Sequence, residues 1–319
     1  MIKNIGVVGT GWISTEFVNQ IDKKKYTIQS VFNRNPVSLE KFLITHKLPL
    51  GYTDYDDFIQ QPALQVVYIG SPNQTHYDYA KRALLAGKHV LCEKVMVLTG
   101  EQSQELFTIA KERDLVLMEA VSLFYMPLYL KVQDLLSQNI LGKLSSINVT
   151  FGSCKEFDPD NRFFSKEKGG GALFDIGTYA LSAAVYLLGT DTELISSEVV
   201  MSETDVDEKS TTILKTATGE LASVMISFRG KMPKQIILSG DQGYLVINEF
   251  PRATTGTIYL NDGEVVVLKE GDGYDVFNYE MDQLNELVKT GTLKVDHREV
   301  TNRVIHLMDD MRHAWDWEL

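Results

Sequence analysis

The chain has 319 residues, 44% hydrophobic and 23% charged, the balance of a soluble globular protein long enough for two domains. Its formal net charge of −12 argues against a nucleic-acid surface, which needs a basic face. Only two cysteines occur, Cys92 and Cys154, without CxxC spacing, so a disulfide framework is not expected.

The opening run MIKNIGVVGTGW reads as a strand entering a glycine loop, with no signal-peptide cleavage pattern. From there to about residue 120 strands and helices alternate. KNIGVVG precedes a helix running through FVNQIDKK, YTIQSVFN precedes PVSLEKFLITH, and LQVVYIGS precedes HYDYAKRALLAG, which ends at Gly87 as a helix stop. HVLC, EQSQELFTIAKERD and LVLMEA complete the series. This order predicts a doubly wound parallel sheet with helices on both faces. Beyond residue 140 the runs LSSINVTFGS, TTILKTAT, ELASVMISFRG, KQIILSG, GYLVIN and GTIYLNDGEVVVL predict a large, predominantly antiparallel open sheet in an α+β domain. NDG in the last run marks a hairpin. Helices are expected over 171–188, 275–290 and 299–316. The apolar stretch 176–188 is shorter than the ~18 residues of a membrane span. The expected domains are 1–122 and 123–319, with the C-terminal helix returning to the first, and the expected location is cytoplasmic.

Chemistry-bearing residues gather at loops. In GTGWIS, Gly9 permits a tight turn, Gly11 lets the backbone approach a pyrophosphate, and Trp12 and Ile13 open the helix. Ser14 fills the third small position. Ordinary strand-to-helix turns also use glycine; the complete βαβ setting carries the dinucleotide reading. After the second strand VFNRNP offers Asn33 and Arg34 and no acid. A guanidinium there favours a 2′-phosphate, so NADP(H) is preferred and NAD(H) stays open. GSPNQTH, with Ser71, Pro72, Asn73 and His76, and CEK, with Glu93 and Lys94, follow later strands at the edge where open α/β sheets bind ligands. In GGGALFDIGTYALSA, Asp175 and Tyr179 are spaced to share one helical face. Taken singly, Asp175 is as well explained as a helix-dipole partner and Tyr179 as a core aromatic. The six histidines are scattered, and neither HExxH, a P-loop nor a GxSxG elbow occurs, so metal, phosphoryl-transfer and serine-hydrolase chemistry rank low.

Together, GTGWIS (9–14), SPNQTH (71–76), AGKHVLCEK (86–94) and GGGALFDIGTY (169–179) resemble the Gfo/Idh/MocA oxidoreductases over nearly the whole chain. Residues 158–179 are most similar to the branch of dimeric dihydrodiol dehydrogenases, NADP-linked xylose dehydrogenases and glucose-fructose oxidoreductase. The resemblance implies an N-terminal Rossmann domain, an open-faced sheet domain, and a homodimer or larger oligomer formed through that sheet. It makes Lys94 the site lysine, Tyr179 the acid/base, Asp175 its acidic partner, and Asn73 and His76 the lining of the nicotinamide side. Two departures stand out: Val95 replaces the family's proline, and Phe124 stands where relatives commonly carry Arg.

The implied chemistry is hydride transfer between a nicotinamide and the hydroxyl or carbonyl carbon of a sugar-like, polyol or cyclic diol substrate. A free phenol, pKa about 10, is a poor base near neutrality. An ammonium beside it favours phenolate and stabilises oxyanion character on substrate oxygen. The rival reading is a catalytically silent dinucleotide-dependent sensor on the same fold; imine or enone reduction is a third.

Overall fold

The computed structural model describes residues 2–293 and 296–318, which divide into two compact units. Unit 1 comprises Met1–Val97, Glu101–Ala120 and Phe277–Arg298; unit 2 comprises Leu98–Gly100, Val121–Val276 and Glu299–Leu319.

Unit 1 is built on β1 (Asn4–Val8), α1 (Trp12–Gln20), β2 (Thr27–Phe32), α2 (Pro36–His46), β3 (Gly51–Tyr52), α3 (Tyr55–Ile59), β4 (Val66–Ile69), α4 (His76–Leu85), β5 (His89–Glu93), α5 (Gly100–Glu112) and β6 (Leu117–Ala120). Six strands pair in the order β3-β2-β1-β4-β5-β6, all parallel, so the strand order reverses beside β1. That reversal opens a crevice at the carboxyl end of the sheet, where dinucleotides bind in this architecture. β4 is buried along its length and β5 from Val90 on, as strands covered on both faces must be. α4 ends as read: Gly87 has φ +75°, its N–H donates to Leu84 O, and Lys88 N–H donates to Ala83 O. The short β3 and α3 carry too few residues to show a period in the sequence.

In unit 2, α6 (Pro127–Ser137) precedes β7 (Leu144–Gly152). A π-helical turn, Leu173–Gly177, then runs into α7 (Thr178–Leu188). The strands β8 (Glu193–Met201), β9 (Asp207–Lys215), β10 (Leu221–Ser227), β11 (Gln235–Gly240), β12 (Gly243–Asn248), β13 (Thr255–Leu260) and β14 (Val265–Lys269) follow. Eight strands pair in the order β14-β13-β12-β11-β7-β10-β9-β8; β7 and β10 are parallel and the other neighbours antiparallel. The NDG hairpin forms as read, with Gly263 at φ +93° and its N–H on Leu260 O. α7 covers one face, where Ile147, Val149, Ala222, Val224 and Ile226 are buried. Leu221, Met225, Tyr244 and Tyr259 stay exposed on strands of this sheet. The stretch Lys166–Leu188 is 23 residues long, more than the 13 read as apolar, and by length and composition matches a membrane span. Its apolar window is 83% buried within the fold, as a core helix is.

The last two helices, α8 (Val276–Thr290) and α9 (His297–Ala314), part company. From Phe277 on, α8 belongs to unit 1, where Phe277 meets Phe17 edge-on at 5.5 Å and Asp282 accepts the Tyr26 hydroxyl at 2.7 Å. α9 from Glu299 on belongs to unit 2, whose Trp315 donates to Ser197 Oγ at 3.1 Å. The helix that returns to the first domain is therefore the penultimate one. The reason is side-chain complementarity: Phe277, Met281, Leu284 and Leu287 form a buried stripe on α8.

Candidate active site

The glycine loop of unit 1 has the shape that phosphate binding needs. Gly9 sits at φ +94°, and a Cβ there would lie 2.8 Å from Gly70 O, so backbone passes close to backbone. A Cβ on Gly11 would meet nothing within 4 Å: the loop faces open space. Gly11 is the N-cap of α1, whose first turn holds neither a side-chain cap nor an acid. Trp12 is 71% exposed beside it. Uncapped N–H groups at a helix start are a ready anion site, and these residues fit a dinucleotide pyrophosphate. Ser14 is fully buried, and a Cβ on Gly70 would come within 2.6 Å of its hydroxyl, which explains why the third loop position is small.

At the end of β2, Asn33 donates to Thr10 Oγ1 and accepts from Asn35 N–H, which ties this turn to the glycine loop. Asn35 caps α2 through Ser38 N–H at 2.9 Å, and Arg34 stands exposed between the two asparagines. The acid-free turn thus presents a guanidinium and an amide where the ribose side of a dinucleotide binds in this topology.

The loops after β4 and β5 are locked together. His76 is fully buried, with Nδ1 2.8 Å from Val95 O and Nε2 2.8 Å from Ser71 O. Burial holds its pKa below the usual imidazole value; the two carbonyls oppose that shift, and the nearby Lys94 charge adds to it. The ring thus lies between the loop after β4 and the loop after β5, and as a neutral imidazole it donates to one of the two carbonyls. Ser71 bonds Thr75 through its hydroxyl, and Pro72 and Asn73 lead into α4 with Pro72 exposed and Asn73 half-buried. Glu93 is buried and accepts the Tyr68 hydroxyl at 2.6 Å; burial first, then that carboxylate, holds the phenol well above its ordinary pKa. Glu119 accepts Met96 N–H at 2.8 Å and so anchors the loop beyond Lys94 from the neighbouring strand. Within this braced loop Lys94 is half-buried, Val95 is fully buried and the Lys94–Val95 peptide is cis. Nothing in the local sequence singles out Tyr68 for this contact, and Glu119 stands in the run MEAVSLFYMP, which the resemblance covers.

In unit 2, every residue from 171 to 187 is buried except Asp175 and Tyr179. The first lies in the π turn and the second in the first turn of α7. Single π turns inserted in helices recur at functional sites. Asp175 stands between two cations, Lys155 Nζ at 3.5 Å and Arg162 at 3.8 Å. Both cations lie over Phe163, at 3.6 and 4.2 Å from the ring centroid. Tyr179 lies 6.3 Å from Phe151, ring to ring. Lys155 and Arg162 come from the loop after β7; Arg162 lies within the run 158–179 but, like Lys155, was not singled out as a site residue. Phe124, the departure from the expected Arg, is fully buried 5.5 Å from Tyr186, in the hydrophobic core of unit 2.

Comparison with known proteins agrees with the resemblance read from the motifs. Residues 3–121 match the model of the oxidoreductase family with an NAD-binding Rossmann fold, GFO_IDH_MocA, and residues 129–246 match a GFO/IDH/MocA C-terminal domain. The chain belongs to the Gfo/Idh/MocA family of NAD(P)-dependent oxidoreductases. It is similar to the trans-1,2-dihydrobenzene-1,2-diol dehydrogenase of Xenopus laevis, 30% identical over 79% of this chain and 77% of the relative. The D-xylose 1-dehydrogenase (NADP(+)) 2 of Haloferax volcanii is 26% identical over 92% of each chain. Among solved structures, KijD10, a 3-ketoreductase from Actinomadura kijaniata in complex with NADP and TDP-benzene, superposes with a TM-score of 0.85 at 25% identity, covering 98% of each chain. The protein is an enzyme, which sets aside the silent-sensor reading, and its cofactor is a nicotinamide dinucleotide.

Proposed function

We propose that the enzyme oxidises a secondary hydroxyl of a sugar-like, polyol or cyclic diol substrate, or reduces the matching carbonyl, with NADP(H) preferred over NAD(H). The observation that carries this reading is the isolation of Asp175 and Tyr179 as the two accessible residues of an otherwise buried helical segment. An ionisable pair left accessible in an otherwise buried helical segment is a functional-site candidate. The names of the relatives, a diol and a xylose dehydrogenase, support the substrate class.

The bound nicotinamide supplies the hydride chemistry. The protein has to hold the dinucleotide, orient the carbinol carbon and move one proton. Gly9, Gly11, Trp12 and Ile13 hold the pyrophosphate through backbone N–H groups; Asn33 and Arg34 take the ribose and its 2′-phosphate. Ser71, Pro72, Asn73, Glu93 and Lys94 border the nicotinamide end, with His76 bracing them from beneath. Lys94 contributes its ammonium to the substrate oxygen, which favours the alkoxide that forms as the hydroxyl proton leaves and that becomes the carbonyl when the carbon gives up hydride. Tyr179 carries the proton, and Asp175, with Lys155 and Arg162 beside it, orients neighbouring substrate hydroxyls. For oligomerisation, a homodimer through the uncovered face of the eight-stranded sheet fits the exposed Leu221, Met225, Tyr244 and Tyr259, and cytoplasmic residence fits the two unpaired cysteines.

The test is turnover. Purified enzyme is incubated with NADP⁺ or NAD⁺ and D-xylose, scyllo-inositol, levoglucosan or trans-1,2-dihydrobenzene-1,2-diol, and reduced nicotinamide is followed by absorbance. Reduction with at least one of these, faster with NADP⁺, is expected. Binding of NADP⁺ without turnover of any would overturn the substrate class.

A further inference from the structure

The helix that presents Asp175 and Tyr179 rests on a carboxyl group from the sheet. Asp207, the first residue of β9, is fully buried, and its Oδ2 accepts Leu173 N–H at 2.8 Å. Its Oδ1 has no hydrogen-bond partner among the described residues. The fit around it is close: a Cβ on Gly171, at φ +113°, would lie 2.3 Å from Oδ1 and 3.1 Å from the Trp317 ring, which itself packs 5.5 Å from Phe174. A buried carboxyl with one unpaired oxygen is an expensive way to cap a helix. An asparagine or serine does the same on the surface at no such cost. The π turn that carries Asp175 begins at Leu173, the residue Asp207 holds, and Tyr179 follows in the next turn.

We propose that Asp207 is a positioning residue for the reaction: by fixing Leu173 it sets the rotation of the helical segment, and hence the tips of Asp175 and Tyr179. This rests on the reading of Tyr179 as the proton carrier. Protonated or ionised, the carboxyl keeps an acceptor oxygen for Leu173, so an amide in its place should serve.

The test is a double-mutant cycle on steady-state oxidation of trans-1,2-dihydrobenzene-1,2-diol or D-xylose with NADP⁺. Asp207→Ala is expected to lower kcat by up to about a hundredfold, the loss that a misplacement of ~1 Å brings. The KM for NADP⁺ should stay unchanged, and Asp207→Asn should restore most of the rate. In a Tyr179→Phe background the Asp207→Ala loss should largely disappear, because the group it positions is gone. A loss by Asp207→Ala of equal size in both backgrounds overturns the positioning role while leaving Tyr179 in place. Full activity of Tyr179→Phe alone, or no turnover by the unaltered enzyme, overturns the reading of the site and this proposal with it. If Tyr179→Phe falls below detection, or Asp207→Ala does not fold, the amide variant decides. An Asp207→Asn enzyme that folds and keeps the kcat and KM of the parent supports positioning by the acceptor oxygen, and a folded Asp207→Asn enzyme of reduced kcat contradicts it.

Discussion

In the proposed site, Arg34 would carry the choice between the two dinucleotides on one side chain. A guanidinium at the end of β2 pairs with a 2′-phosphate and has nothing equivalent to hold on a ribose hydroxyl. Charge-assisted hydrogen bonds of this kind contribute about 1.5–3 kcal/mol, or roughly ten- to a hundredfold in affinity. Arg34→Ala is therefore expected to weaken NADPH binding by about that factor and to leave NADH binding nearly unchanged, as fluorescence titration of the two cofactors would show. An equal effect on both would remove Arg34 from the phosphate. His76 shows the limit of reading at this scale. Its type and its place in GSPNQTH were legible; the burial of its ring between Ser71 O and Val95 O was not, because burial depends on loops that converge only after folding.

At the scale of elements, the glycine loop and α1 act as one unit. Gly9→Ala would place a Cβ at φ +94° within 2.8 Å of Gly70 O, a backbone atom that cannot swing aside. The expected result is weaker binding of NADPH and NADH alike together with a lower melting temperature, in contrast to Arg34→Ala; binding of both cofactors at parental affinity would show that the loop tolerates the shift. Elements of this kind were legible because their signals are local: α2 follows PVSLEKFLITH from end to end, and the NDG hairpin formed where its turn residues required. The π turn was not legible, since the same residues, LFDIG, also satisfy an α-helical period. β8 was read as neither strand nor helix, and α6 was not read either, although Leu128, Val132, Leu135 and Leu136 keep helical spacing.

At the scale of the whole molecule, the chain is divided by packing partners that lie far apart in sequence. The amphipathic pattern of α8 predicts a buried face, but only the fold shows that this face meets Phe17. Asp207 has the same long-range character, and its burial has a consequence for stability. With no charged partner among its causes, desolvation raises its pKa to about 7, outweighing the Leu173 and Ala172 N–H groups that lower it. Because the folded chain holds this proton more tightly than an unfolded chain with a carboxyl near 3.9, stability from this group is full below about pH 4 and is lost as pH rises through about 7. The span corresponds to a loss on the order of a few kcal/mol. Urea unfolding of Asp207→Asn and the parent across pH 4 to 9 should show the gap between them shifting in favour of the variant as pH rises; a gap independent of pH would contradict a raised value. Lys94 and Tyr179, from the two ends of this organisation, decide the account most directly. In Lys94→Ala and Tyr179→Phe, kcat should fall by about 10²- to 10⁴-fold, the range of a lost acid/base or charge contribution, while NADPH binds as before. Turnover at the parental rate in both variants would contradict the assignment of the site.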